Sequence, residues 1–253
     1  MKLITKIIII FIFVANVSAR EIGETEITTE DGIEVYQNEK FYLLKKNVQI
    51  ESDNFTLSAD DVKINFDKNL EDITELNAKG DVNFYSQEFD ISGKGKILKF
   101  EIKPEKLRVE GQESKLITKD VSMFSDGLIV VNNSNGDFSL KGMNSKLINE
   151  SIKILATSID GNFTDVGEKK EITFLKVSDE DISYVKNKDT EMYAKQINYN
   201  YETSIIELIN NVTILRNEEK ITGDYATLDT TNDSYKIKSK NQNKVKVVIQ
   251  NNE

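Results

Sequence analysis

The 253-residue sequence predicts an all-β protein on three observations. Apolar residues recur at every second position over most of the chain. Glycine-bearing turn signals separate the runs. Only one proline is present, Pro104. Alternation at period two places successive side chains on opposite faces of a strand, so one face is buried and the other wet. Proline removes a donor from the sheet ladder, so a continuous sheet avoids it.

The N-terminus is read as a leader rather than as part of the fold. Lys2 and Lys6 precede the apolar run from Ile7 to Val17, and small residues follow at Val17-Ser18-Ala19. A spanning helix needs about 20 apolar residues, so this run is a signal peptide with cleavage expected after Ala19. Removing 19 of 253 residues leaves 234. The leader holds two Lys and no acid, so the formal charge moves from −10 to −12. The expected protein is soluble and periplasmic, a single domain over 20–253. Its acidity argues against nucleic-acid partners.

The strands then follow in order. Ile33 to Tyr42 opens the sheet, and Val48 and Ile50 continue it. Phe55, Leu57 and Ala59 alternate, then Val62, Ile64 and Phe66, then Val82 and Phe84. Phe89 and Ile91 lead to Leu98, Phe100 and Ile102. Further on come Val121 and Met123, Phe138 and Leu140, Ile152 and Ile154, and Ile182 and Tyr184. Ile197, Tyr199 and Tyr201 precede Val212 and Ile214, and Tyr235 and Ile237 precede Val245, Val247 and Ile249. Turns are expected at Asp31-Gly32, Lys79-Gly80-Asp81, Asp126-Gly127, Asn135-Gly136 and Asp160-Gly161. The runs are rich in Val, Ile, Thr, Tyr and Phe, which suit a pleated, half-buried surface. After the leader no stretch has the 3.6-residue period of a helix.

A repeat underlies the alternation. Val48, Ile50, Leu57, Ala59, Val62, Ile64 and Phe66 shift by 34 onto Val82, Phe84, Ile91, Gly93, Lys96, Leu98 and Phe100. A further shift of 130 gives Val212, Ile214, Ile221, Gly223, Ala226, Leu228 and Thr230. A degenerate copy holds Ile182, Tyr184, Met192, Ala194, Ile197 and Tyr199. The best copies cover 42–66, 76–102 and 206–230, while 121–175 fits poorly. A 34-residue period also suggests a helical tetratricopeptide array, but apolar spacing of two excludes it. The small residues Ala59, Gly93, Ala194 and Gly223 mark either a sharp bend of the sheet or an ordinary strand end.

Composition removes most chemistry. With no His and no Cys there is no Ser-His-Asp or Cys-His nucleophile, no His- or Cys-ligated zinc and no disulfide. The acidic clusters Asp60-Asp61 and Asp179-Glu180-Asp181 lack the spacing of a calcium loop and read as solvated turns. Tyr199 and Tyr201 read as half-buried strand residues. No catalytic residue, metal or cofactor is expected.

Two phrases carry a family resemblance. The first is Gly80-Asp81-Val82-Asn83-Phe84, a hairpin, then Phe89-Asp90-Ile91-Ser92-Gly93. The second is Asn211-Val212-Thr213-Ile214, then Lys220-Ile221-Thr222-Gly223-Asp224-Tyr225-Ala226-Thr227-Leu228-Asp229. Both resemble the OstA-like repeat of the LptA family of lipopolysaccharide-transport proteins, where the phrase reads Gly-Asn-Val, Ile-x-Gly-x-x-Ala and an Asp-rich turn. The resemblance implies an open, twisted antiparallel β-jellyroll, shaped like a folded taco, with an apolar groove inside. It implies lipopolysaccharide as ligand, LptC-type and LptD-type partners, and head-to-tail self-association. The chain is longer than a minimal member, which suggests extra repeats.

Lipid physics agrees with that implication. Each CH₂ removed from water is worth about 0.8 kcal/mol, so a multi-chain amphiphile needs an escort with a continuous apolar lining. Candidate lining residues are Val48, Ile50, Leu57, Val62, Ile64 and Phe66 in the first unit. Val82, Phe84, Ile91, Leu98 and Phe100 belong to the second, and Val212, Ile214, Ile221 and Leu228 to the last. The natural sheet edges carry Val35 at one end and Val245, Val247 and Ile249 at the other. Strand addition there would dock a partner, and nearby lysines could equally protect the edge. Two other classes remain for comparison. A parallel β-helix that binds or modifies polysaccharide would have a coil period of roughly 20–25 residues. An outer-membrane barrel would need strands of about ten residues and aromatic girdles.

Overall fold

The computed structural model describes residues 23–68, 72–166, 169–240 and 244–249. The expected leader and its cleavage point after Ala19 lie outside the described residues. Within them the chain forms eighteen strands and no helix, so none is long and apolar enough to cross a membrane. The first nine are β1 (Glu26–Thr28), β2 (Ile33–Tyr36), β3 (Phe41–Glu51), β4 (Phe55–Phe66), β5 (Ile73–Ser86), β6 (Ile91–Glu101), β7 (Lys106–Glu110), β8 (Ser114–Thr118) and β9 (Val121–Ser125). The others are β10 (Leu128–Asn132), β11 (Asp137–Asn149), β12 (Ile152–Val166), β13 (Lys169–Asn187), β14 (Thr190–Asn200), β15 (Ile205–Arg216), β16 (Glu219–Asp229), β17 (Ser234–Lys238) and β18 (Lys246–Ile249).

Every registered pair is antiparallel. A parallel β-helix is therefore excluded. Ten strands have eleven residues or more; the other eight join end to end as four pairs, giving fourteen rungs. β1 and β2 lie side by side on β3, β7 and β8 on β6, β9 and β10 on β11, and β17 and β18 on β16. The rungs meander in sequence order, and each terminal rung has one registered neighbour.

Each rung bends once. The ladder slips between Lys45 and Val48, Lys79 and Val82, Lys141 and Ser145, Ser178 and Ser183, and Ile209 and Val212. Extra residues on one strand face fewer on its partner, which defines a bulge and turns the strand sharply. Left-handed residues occupy these sites: Lys46, Asn47, Gly80, Gly142, Asn210 and Asn211 all have positive φ. The bends line up into a corner that divides the meander into two facing sheets. Sheet I holds β2, β7, β10 and β17 with the adjoining halves of the long strands. Sheet II holds β1, β8, β9 and β18 with the other halves. This is the open antiparallel jellyroll.

The corner accounts for a misplaced turn. Lys79-Gly80-Asp81 does not end a strand; it lies inside β5. Gly80 has φ +100°, and a Cβ there would meet Asp60 Oδ2 at 2.1 Å. Asp160-Gly161 likewise lies inside β12. Gly161 faces Phe138, whose ring occupies the space a Cβ would fill, 2.3 Å from Cζ. Phe84 covers Gly93 in the same way.

The core is one cluster running from Leu44 to Ala226. Its members alternate along each rung and point between the sheets. At the corner, carbonyls freed from the ladder are taken up by buried serines. Ser114 Oγ donates to Gly111 O at 2.7 Å and Ser145 Oγ to Gly142 O at 2.8 Å. Ser125 Oγ donates to Lys141 O at 3.0 Å. Five hairpins share one geometry, four residues ending on a left-handed Lys40, Asp90, Glu105, Ser204 or Asp233. A type I turn closed by such a residue is a common four-residue hairpin loop.

Two repeat assignments shift. Phe84 faces Gly93 where Ile50 faces Leu57, so Gly95, not Gly93, takes the position of Ala59 and Gly223 beside the corner. In β13 the inward residues are Ser183 and Val185, while Ile182 is exposed. Val177 and Ser183 are both buried, and between them Ile182 lies in a four-residue bulge, Asp179–Ile182. Asp179 pins it by accepting from the Thr157 and Asp181 amides at 2.8 and 2.9 Å.

Candidate functional site

The two sheets meet at the corner and part at the opposite margin, where the hairpins form two lips. Between the lips runs a cleft of four adjoining compartments. The first, about 370 Å³, is walled by Leu76, Leu98, Phe100 and Leu107 of sheet I and Phe84 and Ile91 of sheet II. Its few polar groups, among them Glu88, Glu105 and Asn133, sit at the rim. The second, about 170 Å³, shares Ile91 and Val131 with the first and adds Leu116 and Met123. The third, about 680 Å³, shares Lys119 and Lys170 with the second. Its floor is Leu175, Val185, Ile197 and Ile206. The fourth, about 430 Å³, shares Ile206 and Thr230 with the third and reaches Met192, Ile214 and Leu228.

The cleft thus follows the rungs for most of the molecule. Its floor is apolar throughout because every second residue of every rung points inward. Its rim changes character: Glu88 and Glu105 are its charges over the first compartment, and both signs are present over the last two. Lys170 there lies 3.2 Å from Asp165 Oδ1, and Arg216 pairs with Asp233. Tyr199 projects into the third compartment. Burial pushes its phenol above the ordinary value, so it stays protonated. Among the described residues no group of three or more acidic side chains converges as a metal site.

The fifteen candidate lining residues divide into two sets. Phe84, Ile91, Leu98 and Phe100 wall the first compartment, and Ile214 and Leu228 the fourth. Val48, Ile50, Leu57, Val62, Ile64, Phe66, Val82, Val212 and Ile221 are also buried but line none of the four compartments. The cleft gains Leu107, Val131, Leu175, Val185 and Ile206, which sequence reading did not single out. Their signal was period-two alternation at Leu107 and Val109 and at Leu175 and Val177, next to strands broken by the corner. Ala59 and Ala194 are buried directly beside the corner residues Asp60 and Lys195. At the ends, Val35, Val245, Val247 and Ile249 are all exposed. β18 begins at Lys246, so Val245 precedes it.

The chain is thus a double-layered antiparallel sheet with an apolar cleft along its open margin. The profile of the family described as LptA/LptD N-terminal domain lipopolysaccharide transport protein matches residues 27–137 and again 116–234. The chain belongs to this family of transport proteins. LptH, described as the LptA-homologous periplasmic component of the lipopolysaccharide transport device of Pseudomonas aeruginosa, is similar at 14% identity and a TM-score of 0.41. The similarity covers 52% of this chain and 95% of that one. No curated protein sequence matches this chain.

Proposed function

We propose that this chain is a periplasmic carrier or bridge for lipopolysaccharide, exported by its leader, that shields acyl chains in the cleft between its sheets. The observation that carries the reading is the continuity of the cleft: four compartments with shared walls and an apolar floor follow the long axis. A transported amphiphile needs such a track, because each CH₂ it exposes to water costs about 0.8 kcal/mol. One deep pocket would hold the lipid and release it slowly. A uniform track lets it slide with little change in free energy. No bond is made or broken, so the missing His and Cys are no handicap. Docking of LptC-type and LptD-type partners, or of a second copy, is assigned to the exposed terminal rungs β2 and β17/β18 by strand addition.

A photo-crosslinking residue at Phe84 or Ile206, both on the cleft, is expected to trap lipopolysaccharide. The same residue at the outward neighbours Asn83 or Glu207 is expected to trap little. Equal capture on both faces would overturn the groove. Removal of residues 244–253 is expected to weaken pull-down of a partner or a second copy while leaving capture at Phe84 intact. Unchanged pull-down would remove the docking role.

A further inference from the structure

The outer faces of the two sheets differ in charge. On sheet I the charges are paired: Lys99 lies 2.8 Å from Glu75 on the next strand and 3.2 Å from Glu101 on its own, Arg108 pairs with Glu110 along β7, and Lys141 pairs with Asp160 across strands. On sheet II Lys186 pairs with Glu191 at 3.2 Å, whereas a row of other lysines does not. Lys94 stands opposite Lys115, Lys115 opposite Phe124, and Phe124 opposite Lys146. Beyond Lys146 the same row continues through Leu155 to Tyr184 and Tyr193. One row nearer the lip, Lys153 stands opposite Lys186. Among the described residues no carboxylate pairs with Lys94, Lys115, Lys146 or Lys153. Lys146 Nζ instead sits 4.3 Å from the centre of the Phe124 ring. Tyr184 and Tyr193 lean together with centroids 5.1 Å apart.

A row of free cations and aromatic rings on a protein of charge −10 is a local reversal of sign. Screening confines its reach to about 8 Å at physiological salt, so the row acts on a ligand at contact and not at long range. Its surroundings indicate which ligand. Ile152, beside Lys153 on β12, lines the third compartment of the cleft. Lys153 therefore stands near the lip, where a head group would emerge from the mouth, and the row of Lys94, Lys115 and Lys146 runs parallel to the cleft on the corner side of it, Lys94 adjoining Gly95 and Lys146 adjoining Ser145. Ammonium groups neutralise phosphate, and flat aromatic faces stack on the apolar faces of sugar rings. The first compartment has no such cations at its rim, so acyl-chain burial and head-group contact are carried by different surfaces.

We propose that the outer face of sheet II, centred on Lys94, Lys115, Lys146 and Lys153, is a track for the phosphorylated sugars of the lipid whose acyl chains occupy the cleft. The assignment rests on the carrier reading above. It also resolves an electrostatic difficulty, since an acidic chain otherwise repels an anionic amphiphile. The face commits to a soluble sugar phosphate and not to a membrane, because the row lies along the flank of a body whose lipid path is the mouth.

The test uses the full chain and lipopolysaccharide freed of its acyl chains, a phosphorylated oligosaccharide, titrated by calorimetry or NMR. Wild type is expected to bind it, with affinity falling as salt rises. The double variant Lys146→Gln/Lys153→Gln removes both charges while keeping polar side chains and is expected to bind about four- to twenty-five-fold more weakly, at two- to fivefold per exposed charge pair. Lys176→Gln, on the outer face of sheet I, is expected to change nothing. The Lys176→Gln variant is also expected to keep acyl capture at Phe84. Absence of binding to the oligosaccharide overturns the track, and capture at Phe84 in that case leaves the carrier reading standing. Binding to anionic phospholipid vesicles with none to the oligosaccharide reassigns the face to a membrane and overturns the proposal.

Discussion

At the scale of single residues, the same pattern of alternation serves two purposes. Ile64 and Phe100 both point inward, and the sequence treats them alike. Ile64 is 2% exposed and closed in on all sides, whereas Phe100 is half-buried and walls the first compartment. Period two assigns a face but not a depth, because depth is set by the facing sheet, which is remote in sequence. The two residues should therefore respond differently to truncation. Ile64→Ala leaves a cavity in the closed core and is expected to cost about 2–5 kcal/mol of unfolding free energy. Phe100→Ala opens onto the cleft, so it is expected to cost less in denaturant unfolding and to lower lipopolysaccharide capture more. The reverse ranking would show that the cleft floor is structural. The buried serines teach the same lesson from the other side. Ser114, Ser125, Ser145 and Ser183 sit on the inner face, where they satisfy corner carbonyls. A polar residue in an apolar row breaks the pattern on which sequence reading depends, which is why 121–175 fitted poorly.

At the scale of the elements, strand existence was legible and strand continuity was not. Gly80 reads as a turn because glycine, lysine and aspartate surround it, yet the ladder passes through a bulge there. The difference between a bulge and a hairpin lies in the partner strand, which local sequence does not contain. In β13 the bulge is four residues long and contains Ile182, which is therefore exposed although it was assigned inward. Cross-strand charge pairs then hold neighbouring rungs together on the outside of sheet I. Burial pushes the Asp160 carboxyl up, but Lys141, Ser139 and Ser158 outweigh it and hold it below the ordinary value of 3.8. Ser139 Oγ donates to Asp160 Oδ1 at 2.7 Å. The folded state thus binds its proton less tightly than the unfolded chain. The resulting stabilisation is fully present above the ordinary carboxylate range and is lost as pH falls through the lowered folded value. Glu75 follows the same course, its burial outweighed by Lys99, Asn77 and Asn65. Asp160 is more than a third exposed, so solvent screening keeps its share small. Asp160→Asn is expected to flatten the decline of Tm below about pH 4, with a small loss at neutral pH. An unchanged acid limb would show that the Lys141–Asp160 pair contributes nothing.

At the scale of the whole molecule, two family matches overlapping at 116–137 lie on one uninterrupted meander. Fourteen rungs spaced by about 4.8 Å give a track of roughly 60 Å in a single chain. The seam between the two matches falls at the broken rungs β7/β8 and β9/β10, and the second compartment, the smallest of the four, lies over it. The nine inward candidates outside the cleft are buried. The compartments at the mouth have room for part of a lipid. Fuller entry requires the sheets to part about the corner, whose bulges and left-handed residues make it the bending line. This motion can be blocked without touching the cleft floor. The chain has no native cysteine, so Phe89→Cys and Asn133→Cys, on opposite lips where the first two compartments meet, form a unique pair for a bis-maleimide. Bridging them is expected to suppress capture at Phe84 and to leave the thermal transition in place. A linker with a cleavable spacer is expected to restore capture once cut. Full capture in the bridged protein would mean that lipid loads without parting the lips, and the corner would then be a scaffold rather than a hinge.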